Sequence, residues 1–203
     1  MASYQFNPAK SFTAKLYWQE VPMPSEQWDF SRLHRIGGTL NGDAPWSSEG
    51  WLHAGPDDYT DHKAAGYVIS RRKFATQFWF GCYETDGEYD FEIRAAGVDD
   101  DHPHWSYANR RLDISRNGYL GLYKAAEPVG HPAAQNATML WRFDSLPVDQ
   151  LVANSLYAQL QLYSLHGLRI NRHYEDGFAY LNEQQGESGW VALKLIRMGV
   201  AHP

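Results

Sequence analysis

The run Gly87-Glu88-Tyr89-Asp90-Phe91-Glu92-Ile93-Arg94 alternates charged and apolar side chains without a break. That period of two suits a strand and does not suit a helix, whose faces repeat every 3.6 residues. As a strand it sends Tyr89, Phe91 and Ile93 to one face and Glu88, Asp90, Glu92 and Arg94 to the other. A strand of this kind needs partners, and the flanking sequence supplies them. Residues 74–83 read as a preceding strand, and Thr85-Asp86-Gly87 places Asp-Gly at the centre of a hairpin turn.

The same pattern recurs along the chain. Phe12, Ala14, Leu16 and Trp18 alternate through 11–19, and further strands are expected at 66–71, 106–115, 119–124, 138–143, 159–165, 168–172, 178–182 and 190–197. Asn117-Gly118 predicts a second hairpin, with the positive φ angles of a type I′ turn. One helix is expected over 147–158, with Ser145 as its N-cap and Pro147 in its first turn. Ser25 is placed as the cap of a shorter helical turn running to Leu33.

About ten short strands with frequent turn signals and no composition break point to one all-β domain over 1–203. The expected architecture is an antiparallel β-sandwich of jelly-roll type with one short helix. The alternative is a β-trefoil, suggested by the echo of Gly66-Tyr67-Val68, Gly118-Tyr119-Leu120 and Ala179-Tyr180-Leu181. The spacing of the three copies is unequal, which favours the sandwich.

Composition sets limits on function. Hydrophobic residues make up 43% of the chain and charged residues 21%, enough for a sizeable core and unlike a disordered segment. The net charge of −6 implies no dominant basic surface, so nucleic acid is not an expected partner. No apolar run approaches the roughly 20 residues of a membrane span. The N-terminal residues lack the basic and apolar regions of a signal peptide, so cytoplasmic residence is the default and a secreted mature chain the alternative. Cys82 is the single cysteine, which leaves no intrachain disulfide and reads as a small buried hydrophobe. No GxSxG, P-loop, GxGxxG or HExxH motif occurs.

Three constellations can carry chemistry. The first is aromatic display: Trp46, Trp51 and Trp105 lie in loop-like segments near Asp57, His104 and Asn109. Indole rings beside polar groups suit a sugar, which stacks an apolar face and hydrogen-bonds through its hydroxyls. The second is Asp101, His102 and His104, where two His at i and i+2 share a face of an extended segment and can chelate a divalent metal. The cupin pattern needs a Glu shortly after the second His, and Ser106, Tyr107, Ala108 and Asn109 stand there instead. No other cofactor is expected.

The third is Glu88, Asp90 and Glu92. Retaining glycoside hydrolysis needs two carboxyl groups roughly 5–5.5 Å apart, and an intervening Asp can set their pKa values apart. The same alternation also fits a half-exposed strand whose acids sit in water. Glu-x-Asp-x-Glu on a strand resembles the catalytic signature of the laminarinase- and lichenase-like glycoside hydrolases, which have a concanavalin-like jelly roll. Tyr67-Val68-Ile69-Ser70-Arg71-Arg72-Lys73-Phe74 is similar to that family's strand entering the concave sheet. The resemblance implies Glu88 as nucleophile, Glu92 as acid/base and Asp90 assisting. Ile93-Arg94 depart from the small polar residues usual after the motif.

The leading functional expectation is a lectin-like protein that binds carbohydrate or another small molecule through Trp46, Trp51, Asp57, His104, Trp105 and Asn109. The alternatives are a retaining glycoside hydrolase and a metal-dependent cupin-like enzyme. Assembly into a homo-oligomer through surplus aromatics is left open.

Overall fold

The structure, a computed structural model, describes residues 4–23, 29–40, 50–55, 63–64, 67–68, 74–97, 105–125 and 140–201. The first strands are β1 (Gln5–Phe6), β2 (Phe12–Gln19), β3 (Leu33–Thr39), β4 (Leu52–Ala54), β5 (Lys63–Ala64) and β6 (Tyr67–Val68). The middle of the chain forms β7 (Phe74–Ala75), β8 (Gln77–Thr85), β9 (Glu88–Gly97), β10 (Arg110–Ile114), β11 (Leu120–Lys124) and β12 (Arg142–Asp144). The rest forms β13 (Leu156–Tyr163), β14 (Asn171–Glu175), β15 (Phe178–Asn182), β16 (Glu187–Ser188) and β17 (Trp190–Met198).

All the strand pairings are antiparallel. The main sheet runs β11-β10-β9-β8-β2-β3-β4-β15-β14-β16, and β17, β13 and β12 branch from β2. It curls until its two sides meet. Leu122 N–H donates to Gly50 O at 2.8 Å, and Tyr119 forms a bridge to Asn182 on β15. One core fills the curl, built from alternate residues such as Phe12, Leu16 and Trp18 of β2, Phe78 and Phe80 of β8, and Phe91 and Ile93 of β9. Burying such rings and branched chains from facing layers is what an antiparallel sandwich does, and the all-β sandwich expectation holds. Two of the three echo positions of the trefoil alternative pack on each other, with Tyr119 and Tyr180 ring centroids 5.8 Å apart.

The hairpins follow local chemistry, with one change. Asp86 (φ 51°) and Gly87 (φ 83°) both take positive φ between the paired Thr85 and Glu88, as a type I′ turn requires. Asp176 and Gly177 repeat this between Glu175 and Phe178. At Asn117-Gly118, however, only the glycine has positive φ. Gly118 N–H donates to Ser115 O at 2.9 Å and Ser115 N–H to Tyr119 O at 2.7 Å. That is a type I turn followed by a left-handed glycine, a longer hairpin loop than type I′.

The helix expected over 147–158 does not form. Val148–Gln150 makes a single 3-10 turn, Leu151 is already extended, and Asn154 sits at φ 64°. From Leu156 the chain is strand, because pairing with β17 buries Leu160 and Leu162 in the core. Tertiary pairing outweighs a short helical preference that could bury little by itself. Of the turn expected from Ser25, the described part is a 3-10 turn at Phe30–Arg32 leading into β3. No helix among the described residues is long and apolar enough to cross a membrane.

The outer face of β8 and β9 is enclosed as well. Trp79, Tyr83, Glu92 and Arg94, all pointing away from the core, are at most 1% exposed. This differs from a strand with one face in water, and it sets the chemistry of the acids.

Candidate ligand cleft

At its N-terminal half β9 has a second partner. Phe91 N–H donates to Trp141 O at 2.7 Å and Trp141 N–H returns to Phe91 O at 2.8 Å. Continuing that antiparallel register sets Arg142 beside Asp90 and Asp144 beside Glu88. The side chains agree. Arg142 Nε donates to Asp90 Oδ1 at 2.8 Å and Nη2 to Oδ2 at 2.9 Å, a bidentate fork. Its third nitrogen, Nη1, lies 2.6 Å from Glu88 Oε2. The bonds to Asp90, ahead of the Coulombic pull of Asp90 and Glu88, raise the Arg142 pKa above its ordinary value and keep it charged. Asp90 is the buried floor of this arrangement, whereas Glu88 and Arg142 are open to solvent.

These residues line a cleft of about 660 Å³. Glu88, Asp90, Arg142 and Asp144 give its polar surface, Tyr4, Tyr89 and Tyr163 its rings, and Leu140 and Leu165 part of its apolar wall. Tyr89 is fixed at the mouth. Its hydroxyl donates to Asp149 Oδ1 at 3.1 Å and accepts from Lys10, whose Nζ is also 2.6 Å from Asp149. The Lys10 bond, then the Tyr89 bond, holds the Asp149 carboxyl below its usual range. Rings, apolar wall and convergent polar groups thus meet in one cleft.

Glu92, two residues past Asp90 on the same face, is not among the residues lining the cleft. It is wholly buried. Arg94 Nε and Nη2 lie 2.6 and 2.5 Å from its Oε1, Arg111 Nη1 is 4.0 Å away, and the Tyr83 hydroxyl donates to Oε2 at 3.3 Å. Burial lowers the Arg94 pKa against the opposing pull of Glu92, and burial first, then Glu92, raises that of Tyr83. The three acids of the strand thus split into an open Glu88, a clamped Asp90 and an enclosed Glu92.

Of the expected binding residues, Trp51, Trp105 and Asn109 are among the described residues, and these three fall elsewhere. Trp51 is half-buried, stacked on Tyr119 with centroids 3.9 Å apart and edge-on to Tyr180 at 5.3 Å. Trp105 opens a 3-10 turn and Asn109 is exposed just before β10. None of the three lines the cleft. Trp46, Asp57, Asp101, His102 and His104 lie outside the described residues. Among the described residues no group of three or more His, Cys, Asp or Glu could hold a metal ion.

Sequence reasoning missed Arg142, Asp144, Tyr4 and Tyr163, and placed Tyr89 only on the core face. A signal for the first two exists. Leu140-Trp141-Arg142-Phe143-Asp144 alternates like β9, and its Arg complements the acids opposite.

The fold and cleft define an all-β antiparallel sandwich protein with an acidic, tyrosine-lined cleft. Compared with known proteins, the chain matches no family model, no curated protein and no solved structure.

Proposed function

We propose that the protein binds carbohydrate in the cleft between β9 and β12. The observation that carries this reading is the combination, in one site, of three tyrosine rings with Glu88, Asp144 and a pre-organised Asp90–Arg142 pair. A pyranose offers apolar C–H faces that stack on such rings and hydroxyls that bond to fixed carboxylates. The fork between Arg142 and Asp90 holds these groups before a ligand arrives, which lowers the ordering cost of binding. Binding is favoured over retaining hydrolysis because Glu92, the acid/base of that scheme, is enclosed by Arg94 and Tyr83 away from the cleft. The loop aromatics Trp51 and Trp105 stand outside this site and are not needed for it.

The test is calorimetry and a glycan array on wild type and Tyr163→Ala. Saccharide binding weakened about tenfold or more by losing the ring supports the reading, since stacking of this kind contributes on the order of 1 kcal/mol or more. Binding unaffected by the substitution moves the site elsewhere. Release of reducing ends that stops in Glu88→Gln restores the hydrolase.

A further inference from the structure

We propose that the preferred ligand of this cleft is an amino sugar, a saccharide carrying a free, protonated amine; this rests on the carbohydrate reading above. The hydrogen-bonding inventory points to it. The Arg142 guanidinium is turned to Asp90 and Glu88, with Nε and Nη2 on the one and Nη1 on the other. Three of its five N–H donors are thereby engaged, and its single charge is matched against two carboxylates, so an anionic ligand would meet a site of net negative charge. The Tyr163 hydroxyl donates to Gln161 Oε1 at 2.5 Å, and the Tyr89 hydroxyl is committed to Asp149. Lys10, the cation nearest the mouth, is held by Asp149 and Tyr89.

What remains for a ligand is mainly acceptors. The Asp144 side chain is exposed and has no hydrogen-bond or ion-pair partner among the described residues, and Glu88 is 64% exposed on its side chain with one oxygen on Arg142. Ionised carboxylates accept only, so the ligand must bring the donors. An ammonium brings three, together with the opposite charge. With Glu88, Asp90 and Asp144 against Arg142, the lining has an excess of negative charge. A second observation is independent of the acids. Ser164 also lines the cleft, is 4% exposed, and its hydroxyl has no hydrogen-bond partner among the described residues. A buried hydroxyl left unpaired is costly, and a donor from a ligand would satisfy it. Leu165, 40% exposed on the same wall, offers an apolar surface to the ring carbons.

The experiment compares, by calorimetry in mildly acidic low-salt buffer, a β-linked glucosamine oligomer, its N-acetylated counterpart and a neutral glucan oligomer of the same length. The glucosamine oligomer should bind about tenfold or more tightly than the other two. That gap should shrink in Asp144→Asn and with added salt. Asp144→Asn removes a charge with no partner among the described residues, so circular dichroism and melting should match wild type. Equal binding of all three oligomers overturns the amine preference and leaves the carbohydrate reading standing. A preference that survives Asp144→Asn and Glu88→Gln places the amine elsewhere and overturns the inference. If no oligomer binds, both readings fall. A linear polyamine that binds as well as the glucosamine oligomer shows that charge without a sugar ring suffices, and that also overturns it.

Discussion

Arg94 grips Glu92 from two positions along the same strand, with Nε 2.6 Å and Nη2 2.5 Å from a single carboxylate oxygen and each side chain 1% exposed. Arg94 also donates from Nη1 to the Ala108 carbonyl at 2.9 Å, which ties β9 to the segment before β10. The pair replaces the hydration of both charges with each other and with fixed polar groups. Removing Arg94 leaves Glu92 buried with only the Tyr83 hydroxyl and the more distant Arg111. Arg94→Leu should therefore cost about 3–5 kcal/mol of stability. The double variant Arg94→Leu, Glu92→Leu should recover much of that loss. Urea unfolding of the three proteins checks it, and a single variant within about 0.5 kcal/mol of wild type would show that the pair is not buried in solution.

The Asp90–Arg142 fork is half open, so its contribution is smaller. A double-mutant cycle between Asp90→Asn and Arg142→Gln should give a coupling energy of about 1–3 kcal/mol. The same variants should weaken ligand binding, because the fork sets the floor of the cleft. Zero coupling with unchanged binding would contradict the geometry at β9 and β12.

His53 gives a pH dependence. Only 6% exposed and packed against Tyr180, it has its pKa pushed down to about 4 by burial, against 6.5 for a free imidazole. The folded state therefore holds it neutral where the unfolded chain takes up a proton. Its contribution to stability is complete above about pH 6.5 and is lost as pH falls toward 4, by about 3 kcal/mol in all. An NMR titration of the His53 ring should find its midpoint near 4. A midpoint near 6.5 would mean the ring is hydrated. In His53→Gln the loss of stability between pH 6.5 and 4 should be smaller than in wild type.

Cys82 should be inert. It is fully buried, and burial pushes its thiol pKa up to about 12, so almost no thiolate is present at neutral pH. Ellman's reagent should label it only at the rate of unfolding. Rapid labelling of native protein would place Cys82 at the surface.

Gly81 makes room for Trp79. A Cβ there would fall 2.2 Å from the Trp79 ring, two residues back on the same face. Trp79 is held by its indole N–H donating to Val200 O at 2.7 Å, so it has little freedom to give way. Gly81→Ala should cost about 1–3 kcal/mol through overpacking, read as a lower melting temperature. An unchanged melting temperature would mean the ring lies elsewhere. Gly121 beneath the Tyr123 ring repeats the device.

By itself the sequence determined the all-β class, many of the strands and the Asp86-Gly87 turn. Period two in β2 and β9 follows from alternating backbone geometry, and Asp86-Gly87 turns because glycine readily adopts a positive φ. The face of β9 that enters the core, Phe91 and Ile93, was legible for the same reason. The structure alone decided how that strand's other face is used. An alternating pattern states that two faces differ and does not say what covers each. Whether Glu88 is in a cleft and Glu92 in an ion pair depends on Trp141-Arg142 arriving beside β9 from 50 residues away, and on Arg111 coming in from β10. The 147–158 segment shows the same limit, since its local preference was overruled by a partner strand, β17, nearly 40 residues on. Local steric rules act over a few residues and can be read from them. Pairing and burial are set by which segments meet, and that information is spread over the whole chain.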